Sequence, residues 1–235
     1  MTIRFNHVAW VRGTRPVLSD IDLHLTESRI GLIGDNGAGK SSLFRLICGL
    51  DQPSQGTVHT HDQAAHQSPP GQVGLMFQNP DEQIIFPTVA EELAFTLTAR
   101  GMPRQQAHQQ ALEYLSAHQL GDWATRAIHS LSQGQRQYVC WLAMRIGKPR
   151  ILLLDEPYAS LDLPSQAFLQ RAIASAEQQI LVSTHQLHWV RDFERVLWLD
   201  QGRVRADGPG TTVCAAYEAD VAQRMSHQQG TVAPC

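Results

Sequence analysis

The sequence predicts a mixed α/β fold with a parallel sheet at its centre, and three observations carry this prediction. Residues 151–154 and 180–182 form short, wholly apolar runs, which are typical of strands buried on both faces. A glycine-rich segment over 34–41 follows a third apolar run and opens a stretch with helical spacing. Apolar residues then recur at helical spacing from about residue 88 to residue 144.

The N-terminal part is predicted to form antiparallel strands. Apolar and polar residues alternate over 3–8 and again over 21–25, and Gly13 and Pro16 mark a turn between the two runs. A short strand over 29–33 then leads into the glycine-rich segment and a helix over 41–49.

The second half alternates strands and helices. We expect a strand over 72–78, a buried strand ending at Asp155, a crossover helix over 167–176 and a second buried strand near 180. A hairpin around Gln201 and Gly202 follows. The last twenty residues are polar, and we expect a short helix that frays.

The composition narrows the possible classes of protein. The 235 residues are 43% hydrophobic and 17% charged, which is enough apolar material for a sizeable core. The net charge is −3, so there is no overall basic excess for binding nucleic acid. Four cysteines without a paired spacing argue against a disulfide scaffold. The apolar runs fall far short of the ~20 residues that span a bilayer, so a membrane role would depend on docking.

Residues 34–41 fit the phosphate-binding pattern G-x-x-x-x-G-K-[ST] in its required position between a strand and a helix. The glycines allow backbone N–H groups to surround phosphate oxygens at a helix N-terminus. The side chain of Lys40 can reach the β- and γ-phosphates, and the Ser41 hydroxyl can bind Mg²⁺. The predicted nucleotide-binding residues here are Gly34, Asp35, Asn36, Gly37, Ala38, Gly39, Lys40, Ser41 and Ser42.

Two acidic residues, Asp155 and Glu156, follow the apolar run 151–154. A carboxylate at Asp155 can hold Mg²⁺ at the end of the strand. Glu156 lies one residue further, where it can act as general base on the attacking water.

A third motif precedes the helix that begins near residue 136. It reads Leu-Ser-Gln-Gly-Gln over 131–135, and its Ser132 and Gln135 also fit a capping box. The motif resembles the LSGGQ signature of ATP-binding cassette (ABC) ATPases, with Gln133 in place of the first glycine. A capped helix N-terminus directs its N–H groups towards a phosphate, so the two interpretations are compatible.

The resemblance to an ABC ATPase covers roughly residues 1–210 and implies a fold. This fold is a P-loop NTPase (RecA-like) core with an antiparallel β-subdomain and an α-helical subdomain. The core and β-subdomain would occupy 1–84 and 148–210, the helical subdomain with the signature 85–147, and a C-terminal tail 211–235.

The resemblance also implies roles for individual residues. Gln78 matches the glutamine that senses Mg²⁺ and the nucleophilic water, and His185 matches the histidine that contacts the γ-phosphate. Asp162, in Ser-Leu-Asp over 160–162, matches the D-loop. In this family Ser132, Gly134 and Gln135 complete the ATP site of a second subunit, which is either an identical chain or a paralogue.

The adenine-binding residue departs from the family pattern. Arg12 stands at the usual tyrosine position, and its guanidinium can stack on a base. Trp10 lies two residues earlier on the same face of the strand and is the other candidate. Tyr158 stands where the family commonly has threonine, and the sequence offers no account of it.

Residues 77–95 resemble a narrower group, the energy-coupling-factor (ECF) transporter ATPases, which drive uptake of vitamins and transition-metal ions. In that group this segment receives a transmembrane T component, and a membrane S component binds the substrate. The resemblance implies ATP and Mg²⁺ as cofactors and a peripheral location on the cytoplasmic face of the inner membrane.

Several alternatives remain beside that interpretation. The short C-terminal region resembles dedicated biotin systems, with cobalt or nickel systems next. The chain could serve another ABC importer class. A non-transport ABC ATPase is more remote, because residues 41–131 show no sustained heptads for a DNA-repair coiled coil.

Overall fold

Ten strands and six α-helices make up the part of the chain, residues 2–61, 63–69, 71–159 and 161–229, that the computed structural model describes. The strands are β1 (Ile3–Arg12), β2 (Arg15–Leu25), β3 (Arg29–Ile33), β4 (Gln55–Thr60), β5 (Gln63–Ala64), β6 (Val73–Met76), β7 (Ile151–Asp155), β8 (Gln179–Ser183), β9 (Arg195–Asp200) and β10 (Arg203–Gly208). The helices are α1 (Lys40–Ile47), α2 (Val89–Thr98), α3 (Arg104–Ala117), α4 (Gln133–Ile146), α5 (Leu163–Ala174) and α6 (Gly210–Gln229).

The central sheet has six strands in the order β10-β9-β3-β8-β7-β6. Its inner strands are parallel, and β10 returns antiparallel to β9 as the predicted hairpin. This order places the carboxyl ends of β3, β7 and β8 next to one another. In an open parallel sheet, ligands bind beyond those ends.

Each face of the central sheet has its own apolar core. Ile30, Leu153 and Leu181 pack with α1 and the second sheet on one face. Leu152 and Val182 pack with the helices α4 and α5 on the other. This two-sided burial explains why β7 and β8 are apolar throughout and do not alternate.

The second sheet is antiparallel, with four strands in the order β2-β1-β4-β5. As the alternation in the sequence predicted, β1 pairs with β2 and buries one face. The Trp10 side chain belongs to that buried face, with 8% of its surface exposed.

Helices α2, α3 and α4 follow one another between β6 and β7. Helix α4 buries Val139, Trp141 and Leu142 and packs beside β6. No helix in the described ranges is long and apolar enough to cross a bilayer.

The C-terminal helix differs from the sequence expectation of a short, fraying helix. Helix α6 has 20 residues. It buries Val213 and Cys214 against the core and packs on β9 and β10. These two apolar side chains supply the anchor that the sequence expectation left out. The expected frayed end, at 230–235, and Ser160 of the predicted D-loop lie outside the described residues.

Candidate nucleotide-binding and active site

The glycine-rich segment forms a loop between β3 and α1. Gly34 has a φ of 139°, and a Cβ atom there would lie 2.1 Å from the carbonyl oxygen of Leu199. Gly39 precedes the first residue of α1 with a φ of 108°, also in the range that favours glycine. The loop conformation therefore depends on Gly34 and Gly39, the two glycines that the pattern requires.

Lys40 lies inside this loop and is 9% exposed. Its Nζ donates hydrogen bonds to the carbonyl oxygens of Gly34, at 2.7 Å, and Asp35, at 3.2 Å. Burial lowers the pKa of its ammonium group, and the nearby carboxylates of Glu156, Asp155 and Asp35 oppose that shift. The loop thus holds a partly desolvated cation, which binds an anion more strongly than a hydrated one does.

The Ser41 hydroxyl donates a 2.6 Å hydrogen bond to Oδ2 of Asp155. Asp155 is the last residue of β7, and Ser41 belongs to the first turn of α1. The oxygens of a hydroxyl and a carboxylate in contact are the donor set that Mg²⁺ prefers. Two of the three predicted metal ligands, Ser41 and Asp155, are therefore in contact, and they fit this ion.

Glu156 is 9% exposed, and its carboxylate has two partners. Oε2 accepts a hydrogen bond from the Thr184 hydroxyl at 3.1 Å, and Oε1 lies 2.9 Å from Nδ1 of His185. The structure thus joins two of the three predicted catalytic residues directly, while the third, Gln78, lines the cavity described below. Sequence reasoning missed Thr184, although its place between the end of β8 and His185 was a signal for it.

A cavity of about 950 Å³ brings most of the predicted site together. Its walls include the predicted residues Arg12, Asp35, Asn36, Gly37, Ala38, Gly39, Lys40, Ser41, Ser42, Gln78, Asp155 and Glu156. Gly34 is buried beneath the loop. His185 approaches this group through its contact with Glu156.

The two candidates for adenine stacking lie in different environments. Arg12 is exposed and lines the cavity, whereas Trp10 is part of the core beneath the second sheet. The geometry favours Arg12, since a base can approach only an accessible side chain.

Among the described residues, none of the signature segment 131–135 lines this cavity. The capping box is formed: Ser132 Oγ accepts from the Gln135 amide at 3.2 Å, and Gln135 Oε1 accepts from the Ser132 amide at 3.0 Å. Gly134 packs so closely on Ser165 that a Cβ atom would lie 2.2 Å from its Oγ. Asp162 caps α5 by accepting a 3.0 Å hydrogen bond from the Ser165 amide. The structure therefore groups Gly134 with Asp162, away from the loop cavity.

Tyr158 links the segment that follows β7 to the segment that follows β8. Its ring stacks on Trp189 with a centroid separation of 4.1 Å and an interplanar angle of 23°. Tyr158 follows Glu156 by two residues, and Trp189 follows His185 by four. Burial raises the pKa of the Tyr158 hydroxyl, so the side chain is neutral. The stack ties the segment after Glu156 to the segment after His185.

A glycine loop around a buried lysine, a serine–aspartate pair and a buried glutamate beside a histidine together define a P-loop nucleotide hydrolase. The capped signature helix places it within the ATP-binding cassette class. Comparison with known proteins agrees, since residues 18–159 match the family described as ABC transporter.

Two curated relatives and one solved structure resemble the chain over nearly its whole length. A biotin transport ATP-binding protein, BioM, of Rhodobacter capsulatus is 45% identical over 220 residues, covering 92% of this chain and 94% of the relative. BioM of Rhizobium etli is 36% identical over 92% of this chain and 98% of the relative. The structure of cbiO1 from Clostridium perfringens, described as part of the ABC transporter complex cbiONQ, superposes with a TM-score of 0.78 at 22% identity. It covers 97% of this chain and 98% of that one.

The chain belongs to the ABC transporter family, as an ATP-binding subunit that hydrolyses ATP to drive transport. The predicted ABC ATPase fold is confirmed, as is the resemblance to biotin transport ATPases.

Proposed function

We propose that this chain binds Mg²⁺ and ATP in the loop cavity and hydrolyses ATP with Glu156 as general base. The observation that carries the proposal is the position of the Glu156 carboxylate. It lines the same cavity as Lys40 and the Ser41–Asp155 pair, and it is held by Thr184 and His185.

The proposed residues have separate tasks. Backbone N–H groups of the loop and the ammonium of Lys40 receive the phosphates, and Arg12 stacks on the adenine. Ser41 and Asp155, with Gln78, hold the metal, and Mg²⁺ supplies neutralisation of phosphate charge when it is bound. The Glu156 backbone is held by the Ser183 carbonyl, and its carboxylate is held by Thr184 and His185.

The chemical step follows from that arrangement. Glu156 accepts a proton from water as the water oxygen forms a bond to the γ-phosphorus, and the bond from phosphorus to the bridging oxygen of ADP breaks. Lys40 and His185 stabilise the charge on the transferring group. Positioning and electrostatics account for most of the rate in phosphoryl transfer.

We propose that a second ATPase subunit completes each site. Ser132, Gly134, Gln135 and Asp162 do not line the loop cavity of their own chain among the described residues, yet the capped start of α4 is accessible at Ser132. A helix N-terminus is suited to contact a phosphate. Two chains arranged head to tail would each place this segment on the nucleotide of the other.

A groove beside α2 is the proposed docking site for a transmembrane partner, within residues 78–95 and the start of α3. It has a volume of about 880 Å³, and Phe86, Phe95 and Met102 contribute apolar wall. Ile85 next to it is 69% exposed. The buried Glu92 accepts 2.9 Å hydrogen bonds from the amides of Ile85 and Phe86, so this apolar segment is held in place at the surface.

We propose biotin as the transported substrate, bound by a separate membrane S component, with this chain peripheral on the cytoplasmic face of the membrane. The names of the two BioM relatives support biotin. A cobalt or nickel importer is the second candidate, because residues 77–95 resemble a group whose members take up transition-metal ions as well as vitamins. Another importer class and a non-transport ATPase follow as further alternatives.

Steady-state hydrolysis by a Glu156→Gln variant tests the chemistry. Loss of the base should reduce kcat by about 10²- to 10⁴-fold. Binding of ATP should persist, because glutamine keeps the size of the side chain and can still accept from Thr184. Glu113→Gln, at a surface position on α3, is the matched control. Hydrolysis by Glu156→Gln at the wild-type rate would show that another group is the base.

Affinity purification from gently solubilised membranes, with mass spectrometry, tests the partners. We expect one T-like and one small S-like membrane protein, and the S component can then be assayed for biotin. Ile85→Asp should abolish their recovery, whereas Leu50→Asp, at another exposed apolar side chain, should not. Recovery of permeases with a periplasmic binding protein would indicate another importer class.

A further inference from the structure

The C-terminal helix reaches the phosphate-binding loop. Asp35, the second residue of the loop motif, accepts a 2.6 Å hydrogen bond from the Tyr217 hydroxyl. Its other carboxylate oxygen accepts from Nη1 of Arg224, also at 2.6 Å. Both donors belong to α6, far along the chain from Asp35. We call these three residues the C-terminal clasp.

The clasp is attached to the central sheet by further charged contacts. Arg224 Nε lies 2.8 Å from Asp220 Oδ2, and Asp220 accepts a 2.5 Å hydrogen bond from Arg205 on β10. Arg205 in turn pairs with Asp200 at 3.1 Å and lies 4.2 Å above the Trp198 ring. An alternating series of acids and arginines thus runs from the end of β9 to the loop.

An aromatic contact fixes the other clasp residue. The Tyr217 ring meets the Trp198 ring edge to face at 5.2 Å. Trp198 is 5% exposed and belongs to the core, so it provides a rigid support. Tyr217 and Arg224 therefore approach Asp35 from one helix, and both are supported by Trp198, Tyr217 directly and Arg224 through Asp220 and Arg205.

The charge of Asp35 gives this arrangement a consequence for nucleotide binding. Asp35 and Arg224 both line the cavity that contains Lys40. The hydrogen bonds from Arg224 and Tyr217 hold the pKa of the Asp35 carboxyl below its usual range, so it is ionised at neutral pH. An unpaired carboxylate at this rim would repel a polyanionic phosphate chain.

We propose that Arg224 and Tyr217 are positioning residues of the ATP site, which act through Asp35 by neutralising its charge and fixing the outer turn of the loop. The inference rests on the proposed nucleotide site and assigns α6 a part in it. The clasp residues act on the affinity for nucleotide and leave the proton transfer to Glu156 unchanged.

Equilibrium binding of the magnesium complex of trinitrophenyl-ATP to the full chain, measured by fluorescence, tests this proposal. Arg224→Gln should raise the Kd by ~3- to 10-fold, since one nearby charge pair is lost in a solvent-accessible place. Tyr217→Phe should have a smaller effect in the same direction. Arg203→Gln, at an exposed arginine of β10 that does not line the cavity, is the matched control and should bind as the wild type does.

The double variant Asp35→Asn/Arg224→Gln separates an electrostatic role from a merely structural one. Removing the carboxylate should restore the Kd to within about twofold of the wild type, because the repulsion it causes is gone. If Arg224→Gln binds as the wild type does, or if Asp35→Asn gives no rescue, the proposal is wrong.

Turnover measured on the same variants distinguishes this inference from the proposed function. We expect kcat at saturating ATP to stay within about twofold of the wild type for Arg224→Gln and for Tyr217→Phe, the two variants that alter α6 alone. If Glu156→Gln hydrolyses ATP at the wild-type rate while the clasp variants still shift the Kd, only the proposed mechanism is overturned. Unchanged Kd values with normal hydrolysis would overturn the clasp alone.

Discussion

The loop cavity and the signature segment differ in how their functional groups are satisfied. In the cavity, Lys40, Ser41 and Glu156 bond to groups from several strand ends, and two of the three side chains are buried. In the signature segment, Ser132 and Gln135 bond to each other's backbone amides, and Ser132 remains exposed. The first region surrounds a cavity that can enclose a ligand. The second is an exposed surface that can contact a ligand from one side only. The comparison supports the proposal that one chain carries two different halves of an ATP site.

Lys40→Ala should have the largest effect and tests the enclosing half. It removes the buried cation of the loop, so hydrolysis should fall by about 10²- to 10³-fold together with ATP affinity. Coupled-enzyme turnover and nucleotide binding measure both effects. Lys148→Ala, at an exposed lysine, should behave as the wild type does. Unchanged ATP binding in Lys40→Ala would contradict the assignment of the loop cavity.

Ser132→Asn tests the other half at constant stability. Asparagine also caps helices, so the melting temperature should change little. Hydrolysis should fall on the order of ten-fold if the hydroxyl contacts a phosphate, since such charge-assisted hydrogen bonds are strong. Affinity of an isolated subunit for ATP should stay the same.

A mixture of the Lys40→Ala and Ser132→Asn variants sharpens the comparison. In a head-to-tail dimer, a mixed pair contains one intact site, so mixing should recover part of the activity that each variant lacks. No recovery, with mixed dimers demonstrated by native mass spectrometry, would place both halves in one chain.

Tyr158→Leu should have a smaller effect, confined to the enclosing half. It removes the stack on Trp189, and aromatic pairs of this kind contribute about 0.5–1.5 kcal/mol. We expect a several-fold lower kcat with an unchanged KM for ATP, because the contact between Glu156 and His185 loses support. Tyr158→Phe preserves the stack and should restore kcat. A loss of kcat as large in Tyr158→Phe would refute the positioning role.

Thiol reactivity has the smallest expected effect. It compares helix α1, next to the loop cavity, with helix α4, which begins in the signature segment. Cys48 follows α1, and Cys140 lies within α4. Burial raises the pKa of the Cys48 thiol to about 12 and raises that of Cys140 as well. At pH 8 both are protonated, so a Cys214→Ala/Cys235→Ser variant, which keeps only these two thiols, should react with a disulfide reagent at least ~10²-fold more slowly when native than when denatured. Rapid reaction of Cys48 would show that the structure around α1 opens readily, and rapid reaction of Cys140 would show the same for α4.

The sequence predicted the parts of the fold whose signals are local. The apolar runs of β7 and β8 and the glycines of the loop depend on neighbouring residues alone, and each was found where expected. The capping box of Ser132 and Gln135 is equally local, and it is formed.

Contacts between distant segments were not predictable in the same way. Nothing near Asp35 indicates that Tyr217 and Arg224 will reach it, because the path of α6 is set by Val213 and Cys214 packing on the core. The choice between Arg12 and Trp10 was not predictable either. Simple alternation places both on one face of β1, but the register shifts between Trp10 and Val11, so Trp10 is buried while Arg12 is exposed.

The backbone of Glu156 has a further consequence. Its φ is 48°, in the left-handed region, and its amide donates a 2.9 Å hydrogen bond to the Ser183 carbonyl that holds it there. Such a conformation costs on the order of 1–3 kcal/mol for a residue other than glycine. Glycine would adopt it without that cost but would bring no carboxylate, so stability and activity favour different residues at this position. Selection of variants for thermal resistance alone would therefore favour glycine at the residue proposed as the general base, and with it an inactive protein.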